Sequence, residues 1–382
     1  MANEKKTVRE PSFILALVPI VAMIAFMLYC FRGHSETGYH DAHLPLVMSI
    51  IVACIVGFIC GHSFQEMLAG MVERLAASME AVLILATVGF LVTSFMLSGA
   101  IPTMIVYGLD LLTPKLFLPV GCILCAIVGM ACGSSWTTTA TIGLAFLGIG
   151  AGLGIPAPIT AGMIISGAYV GDKFSPLSDT TNLAAAVAET GLFDHVTAMV
   201  STTGPTLLLS LILYTILGLN VDTSAYDATV AEGIQEAFRG AFTISPILLL
   251  PIIVVIVMCI LRVPGLVGIA VSVATAVVFM LIFQSTDIYY SRSLGDIFDV
   301  LHYGHAVETG NAVADSILGK AKGMDGMMWT INLILVALAY GGALERCGCI
   351  EKLFGGLKHK IHSVGSLILA TLLTSIFCDA TM

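Results

Sequence analysis

Residues 171–182 read Gly-Asp-Lys-Phe-Ser-Pro-Leu-Ser-Asp-Thr-Thr-Asn, directly after an apolar run long enough to sit in a membrane. Asp172, Lys173 and Asp179 place three charges there. A charged side chain at bilayer depth costs about 2.5–3.5 kcal/mol on insertion scales, so each needs a partner or a function. Ser178, Thr180, Thr181 and Asn182 surround the carboxylates with further oxygen donors. Pro176 cannot continue a helix, so carbonyls on its N-terminal side are freed. Carboxylate, hydroxyl, amide and carbonyl oxygens together suit a hard cation such as Na⁺, by the oxygen preference seen for Ca²⁺ and Mg²⁺. One carboxylate of the set can hold a proton in place of the cation, but not beside it. That competition is sufficient for obligatory exchange of two ions.

A second polar cluster, residues 133–139 (Gly-Ser-Ser-Trp-Thr-Thr-Thr), offers the hydroxyls of Ser134, Ser135 and Thr137 to the same site. The sequence therefore places a cation between residues 133–137 and the 172–182 break, with Asp172, Asp179, Asn182 and Ser135 as metal ligands. Lys173 is a candidate counter-charge for an anion. Blander readings compete. Asp172 can pair with Lys173, Asp179 can serve only as an N-cap to the alanine-rich run that follows, and Thr137 to Thr139 can bond back to helix carbonyls. Glu189 is either a proton group or interfacial, and His195 reads as a surface residue at a helix start.

Composition sets the solvent. Hydrophobic residues are 58% of the 382, charged residues 11%, and mean hydropathy is +0.99. Soluble domains carry about 25% charged residues, so this is an all-α polytopic membrane protein. A net charge of −9 with no basic patch gives no sign of a nucleic-acid partner. The ten cysteines form no ligand pattern with histidines, and Cys122 and Cys125 lie in an apolar run where cysteine is a small hydrophobe. No phosphate-binding Gly-x-x-x-x-Gly-Lys motif points to ATP-driven transport, and no His-Glu-x-x-His or Gly-x-Ser-x-Gly motif points to an enzyme. No cofactor is implied beyond transported Na⁺ and H⁺. Lys5, Lys6 and Arg9 precede an apolar run at 12–31 that is long enough to span and shows no cleavage site, so it reads as a retained first helix.

Further apolar runs fall at 44–60, 80–97, 116–132, 138–155, 157–171, 195–219, 242–262, 265–283, 328–344 and 363–378. Amphipathic segments at 62–78, 101–113 and 350–362 are expected along the membrane interface. Residues 285–325 form the longest polar stretch. Gly70, Met79, Gly99 and Ile101 recur 249 positions later as Gly319, Met328, Gly348 and Ile350, and Cys132 recurs as Cys378 after a three-residue deletion. Basic residues then decide between parallel and inverted copies. Residues 98–115 carry only Lys115, whereas their counterpart carries Arg346, Lys352, Lys358 and Lys360, which places the two segments on opposite sides. Inversion follows if 116–155 is a re-entrant hairpin with its tip at 133–137. Residues 12–220 are then a first inverted repeat, with a broken helix at 157–192. Residues 1–11 are a cytoplasmic tail, 221–241 an extracytoplasmic connection and 242–382 a second, incomplete repeat. On this template about 80 residues of the second copy lie beyond Met382, and the chain reads as C-terminally truncated. Asp379 and Thr381, at the second tip, would face the cation from the other side.

Residues 171–183 together with 133–139 resemble the NhaC family of Na⁺/H⁺ antiporters, a resemblance that covers essentially the whole chain. It implies an ion-transporter fold of inverted repeats with two hairpins and two broken helices, an elevator-like motion, a homodimer and a multi-pass place in the cytoplasmic membrane with the N-terminus inside. It also admits Na⁺-linked organic-acid exchange of the malate/lactate type. A cation channel is the less favoured class, because channels use open polar rings rather than broken helices in inverted halves. Cysteines introduced at 101–113 and at 350–362 are expected to label from opposite sides of the membrane. Labelling of both from one side would exclude inversion.

Overall fold

The computed structural model describes residues 8–33, 41–176, 178, 180–181, 184–185, 188–220, 228–261, 263–285, 293–319, 321–358 and 363–381. All regular structure among them is helical. In chain order the elements are α1 (Phe13–Gly33), α2 (His43–Cys60), α3 (Phe64–Ala77), α4 (Met79–Leu97), α5 (Ala100–Leu111) and α6 (Pro114–Cys132). There follow α7 (Ser135–Thr138), a π-turn (Thr139–Gly143), α8 (Leu144–Gly152), α9 (Ala157–Phe174) and α10 (Leu192–Leu219). The remainder are α11 (Ala228–Ala241), a 3₁₀ turn (Pro246–Leu249), α12 (Leu250–Ile260), α13 (Gly265–Phe283), α14 (Leu294–Tyr303), α15 (Ala312–Leu318), α16 (Asp325–Arg346), α17 (Cys349–Lys358) and α18 (Val364–Thr381). Six described helices are long and apolar enough to cross a membrane, or up to eight if two bent pairs each count as one span. The bent pairs are Phe64–Ala77 with Val82–Leu97, at 43°, and Thr229–Ala241 with Pro246–Ile260, at 91°. The chain is a multi-pass membrane protein.

The helices gather into two compact units, Met1–Leu83 with Met328–Met382, and Ile84–Met327. In the first, α1 packs on α2 and α17, and Leu46, Met67, Ala343 and Cys347 form the core. Gly61 closes α2 with a left-handed φ of 96°, and Ser63 and Glu66 open α3 with a reciprocal capping box.

The second unit holds the larger core, built around Phe95, Ile101, Ile105, Phe117, Leu118 and Phe238. Here α5 departs from the interfacial position expected of residues 101–113. Ala100, Ile101, Pro102, Thr103, Ile105, Val106 and Leu109 are all buried, because α8 and α11 pack on this helix. Gln235 Nε2 of α11 donates to the Val106 carbonyl (3.0 Å) and to Asp110 Oδ1 (2.8 Å). The long polar stretch is also partly internal. Ala314, Ile317 and Leu318 of α15 are buried, and Gly323 N donates to Thr93 Oγ1 at 2.9 Å.

Element boundaries recur at the spacing of the sequence repeat. Gly99 precedes α5 with φ 82°, and Gly348 precedes α17 with φ 70°. Both are left-handed positions that favour glycine. α4 and α16 lie before them, and α6 and α18 after them, in the same order.

One polar side chain fastens three elements of the second unit. Gln284, only 3% exposed, donates from Nε2 to the carbonyls of Ser98 (2.9 Å) and Thr243 (3.3 Å) and accepts from Thr243 N (3.0 Å). It thereby joins the corner after α4, the entry to α12 and the end of α13. Gln284→Leu keeps the volume and leaves the buried Ser98 carbonyl unmatched. The variant should lose about 1–3 kcal/mol, read as a lower unfolding midpoint in detergent.

Candidate functional site

α9 stops where the sequence says it must. Phe174 is its last residue, Ser175 is extended (φ −81°, ψ 123°), and Pro176 follows. Ser175 N donates back to the Asp172 carbonyl at 3.2 Å. Thr181 Oγ1 reaches the carbonyls of Asp172 and Lys173, each at 3.3 Å, so its hydroxyl spans the released end of the helix. Ser178 Oγ meets Thr180 Oγ1 at 3.0 Å and accepts from Thr181 N at 3.3 Å. Helical geometry resumes at Thr180 and Thr181. Glu189, further along, is exposed and left-handed with φ 52°. The expected break in the 157–192 helix is thus present, with buried oxygens of Asp172, Ser178 and Thr181 inside it.

The 133–139 cluster meets this break. Gly133 ends α6 in a left-handed conformation (φ 65°), and Ser134 caps α7 by accepting from Thr137 N at 3.2 Å. The next residue, Ser135, donates its hydroxyl to Asp172 Oδ2 at 3.1 Å. Both side chains are buried, Ser135 at 5% and Asp172 at 6% exposure. Among the described residues Asp172 and Lys173 form no ion pair, with each other or with any other group. The pairing reading of Asp172 therefore fails. A buried carboxylate with one hydroxyl donor and no counter-charge is far from satisfied, and a proton or a cation relieves it.

The hydroxyls around it divide into two groups. Thr138 and Thr139 bond back to the carbonyls of Ser134 (2.9 Å) and Ser135 (2.8 Å), as their blander reading holds. Thr137 Oγ1 instead donates to Ser134 Oγ at 3.1 Å. The π-turn Thr139–Gly143 follows at once, and π-bulges are frequent at functional sites. Thr180 is exposed and faces the site only through Ser178. Asp179 and Asn182 lie outside the described residues. Asp379 and Thr381 fall in the last turn of α18, and their side chains are likewise outside the description. Among the described residues no three His, Cys, Asp or Glu side chains gather as a transition-metal site requires.

What positions Asp172 is a set of close-packed glycines on α6 and α9. A Cβ on Gly171 would lie 2.3 Å from the Ala126 carbonyl and 2.6 Å from Met130 N. On Gly167 it would lie 2.4 Å from the Cys122 carbonyl, and on Gly129 2.8 Å from that of Ala168. α6 and α9 therefore touch backbone to backbone. The signal was present as a Gly-x-x-x-Gly spacing at 167 and 171. The glycines of the π-turn and α8 behave differently. Gly143, Gly148, Gly150 and Gly152 face side chains of Ile164, Ile105, Thr160 and Leu109.

A family model described as the Na⁺/H⁺ antiporter family matches residues 167–382. The chain is 34% identical to the Na⁺/H⁺ antiporter NhaC of Alkalihalophilus pseudofirmus, over 88% of this chain and 71% of that protein. It is 35% identical to the arginine/ornithine antiporter ArcD of Halobacterium salinarum, over 97% of this chain and 75% of the relative. It is 31% identical to the malate-2H⁺/Na⁺-lactate antiporter of Bacillus subtilis, over 98% and 78% respectively. No solved structure matches the chain.

The seam is testable by itself. Gly171→Ala and Gly167→Ala each force a methyl into a backbone contact and should destabilise the protein by about 1–3 kcal/mol. Gly162→Ala, where a Cβ meets only Tyr214 OH at 3.5 Å, should leave the unfolding midpoint unchanged.

Proposed function

Because the chain belongs to the Na⁺/H⁺ antiporter family, we propose that it exchanges Na⁺ for H⁺ by alternating access, with Asp172 as the group both ions compete for. The observation that carries this reading is the buried contact between Asp172 and Ser135, which has no counter-charge among the described residues. With Na⁺ bound, the carboxylate and the Ser135 hydroxyl oxygen are ligands. The Asp172 and Lys173 carbonyls complete the near side as Thr181 turns its hydroxyl oxygen to the ion. With the ion gone, a proton on Asp172 keeps the site neutral while it faces the other side. The protein has to carry one or the other across, because an empty carboxylate at this depth is costly. On this reading the protein is a transporter and not an enzyme. Residues 12–220 and 242–382 act as inverted halves joined by 221–241. Asp179 and Asn182, on the same broken helix, are further oxygen ligands in this reading. The protein works as a homodimer in the cytoplasmic membrane with its N-terminus inside.

A second reading is exchange of organic ions, with Na⁺ or H⁺ coupled. The similarity to a malate/lactate antiporter and to an arginine/ornithine antiporter motivates it. The half-buried Lys173 would then face a substrate carboxylate. Na⁺-driven uptake of labelled lactate into vesicles would establish this reading, and its absence alongside a Na⁺-driven ΔpH supports simple ion exchange.

Asp172→Asn should abolish Na⁺-dependent proton movement in everted vesicles at unchanged protein level, and wild-type activity in that variant would overturn the assignment. Ser135→Ala removes one ligand and keeps the carboxylate. It should raise the half-saturating Na⁺ concentration by about five- to tenfold, the equivalent of one hydrogen bond, with a smaller change in maximal rate.

A further inference from the structure

A cavity of about 570 Å³ opens in the first unit between α3 and the last turn of α16. Its charged lining is His62, Glu66, Glu73, Arg74, Glu345 and Arg346. None of these residues belongs to the Asp172 site. The floor is fixed by another glycine crossing, in which a Cβ on Gly342 would lie 2.6 Å from the Gly70 carbonyl. The level is set by two spans. α2 ends at Cys60, just before His62, and α16 ends at Arg346. The cavity therefore sits where two membrane-crossing helices reach the polar boundary. Phe64, Leu68 and Val72 are exposed at four-residue spacing along α3, an apolar stripe beside the charged one. Helices of this pattern lie at headgroup level with the apolar stripe in the acyl region.

The charges in the cavity are partly committed. Glu66 accepts from Ser63 N at 3.0 Å and lies 3.6 Å from His62 Nδ1, and Arg74 lies 3.9 Å from Glu345. Arg346 and Glu73 are left. Among the described residues neither has an ion-pair partner, and they do not reach each other across the cavity they share. One guanidinium and one carboxylate, held apart on a common wall, complement a zwitterion. The guanidinium suits a phosphate, by paired charge-assisted hydrogen bonds. The carboxylates suit a primary ammonium that can donate to them. A quaternary ammonium would instead call for aromatic faces, and the described lining contains none. Among the described lining residues a purely anionic headgroup would meet three glutamates with only two arginines.

We infer that this groove binds the phosphoethanolamine headgroup of a membrane phospholipid, its phosphate on Arg346 and its ammonium on Glu73. The inference rests on the chain being a membrane protein and is independent of what it transports. The test uses the purified full chain, stripped of lipid in detergent. Its unfolding midpoint is followed as phosphatidylethanolamine, phosphatidylcholine or phosphatidylglycerol of identical acyl chains is added. Phosphatidylethanolamine should raise the midpoint saturably and the other two should not. Glu73→Gln, at an exposed position that leaves folding intact, and Arg346→Gln should each weaken that response by about tenfold or more. Equal responses to the three lipids, or an undiminished response in Glu73→Gln, would overturn the site. Soluble phosphoethanolamine is the remaining arm. If it produces the full shift at the same concentration as the lipid, the groove takes a free phosphomonoester and the lipid assignment falls.

Discussion

A carboxylate held out of water beside a single hydroxyl is the constraint around which the second unit is arranged. Burial makes the Asp172 carboxylate costly, and the Ser135 hydroxyl in reach of it offsets part of that cost. Dryness comes from the apolar core on α5, α6 and α8. Reach comes from two helix ends, that of α6 at Gly133 and that of α9 at Phe174, which bring Ser135 and Asp172 together. The C-terminal end of α9 and the capped start of α7 converge because α6 and α9 lie in backbone contact.

Much of this was legible in the sequence, for reasons that differ from element to element. Apolar runs at 44–60, 116–132 and 265–283 match α2, α6 and α13 to within a few residues, since lipid imposes length and composition at once. The break after Lys173 was legible because proline and three charges leave a helix few options. The partnership of Ser135 with Asp172 was also expected, from oxygen chemistry alone. The burial of α5 was not. Its amphipathic pattern is the same whether the polar edge meets lipid headgroups or α11, and only the fold decides which. The Thr138 and Thr139 hydroxyls read equally well as ligands or as back-bonded, and their neighbours' carbonyls took them. Gly167 and Gly171 carry the Gly-x-x-x-Gly spacing, but among 38 glycines that spacing alone does not single out the pair that touches a backbone.

The repeat shows a similar mixture. Single identities 249 residues apart carry little weight in so biased a composition. The left-handed glycines at 99 and 348, each at the start of a short helix, are a different sort of agreement. They are matched conformations, and conformation at such a position restricts the residue far more strongly than hydropathy does.

The contact between α6 and α9 has a consequence for how the scaffold diversifies. A register set by main chain against main chain cannot be retuned by exchanging side chains, since there are none in the joint to exchange. Changes elsewhere on the two helices leave the distance between Ser135 and Asp172 almost untouched. Proteins sharing this joint are free to drift in the residues that meet the cargo while inheriting the same spacing between carboxylate and hydroxyl. The spacing between that carboxylate and that hydroxyl is thus fixed by main chain, whatever side chains surround it.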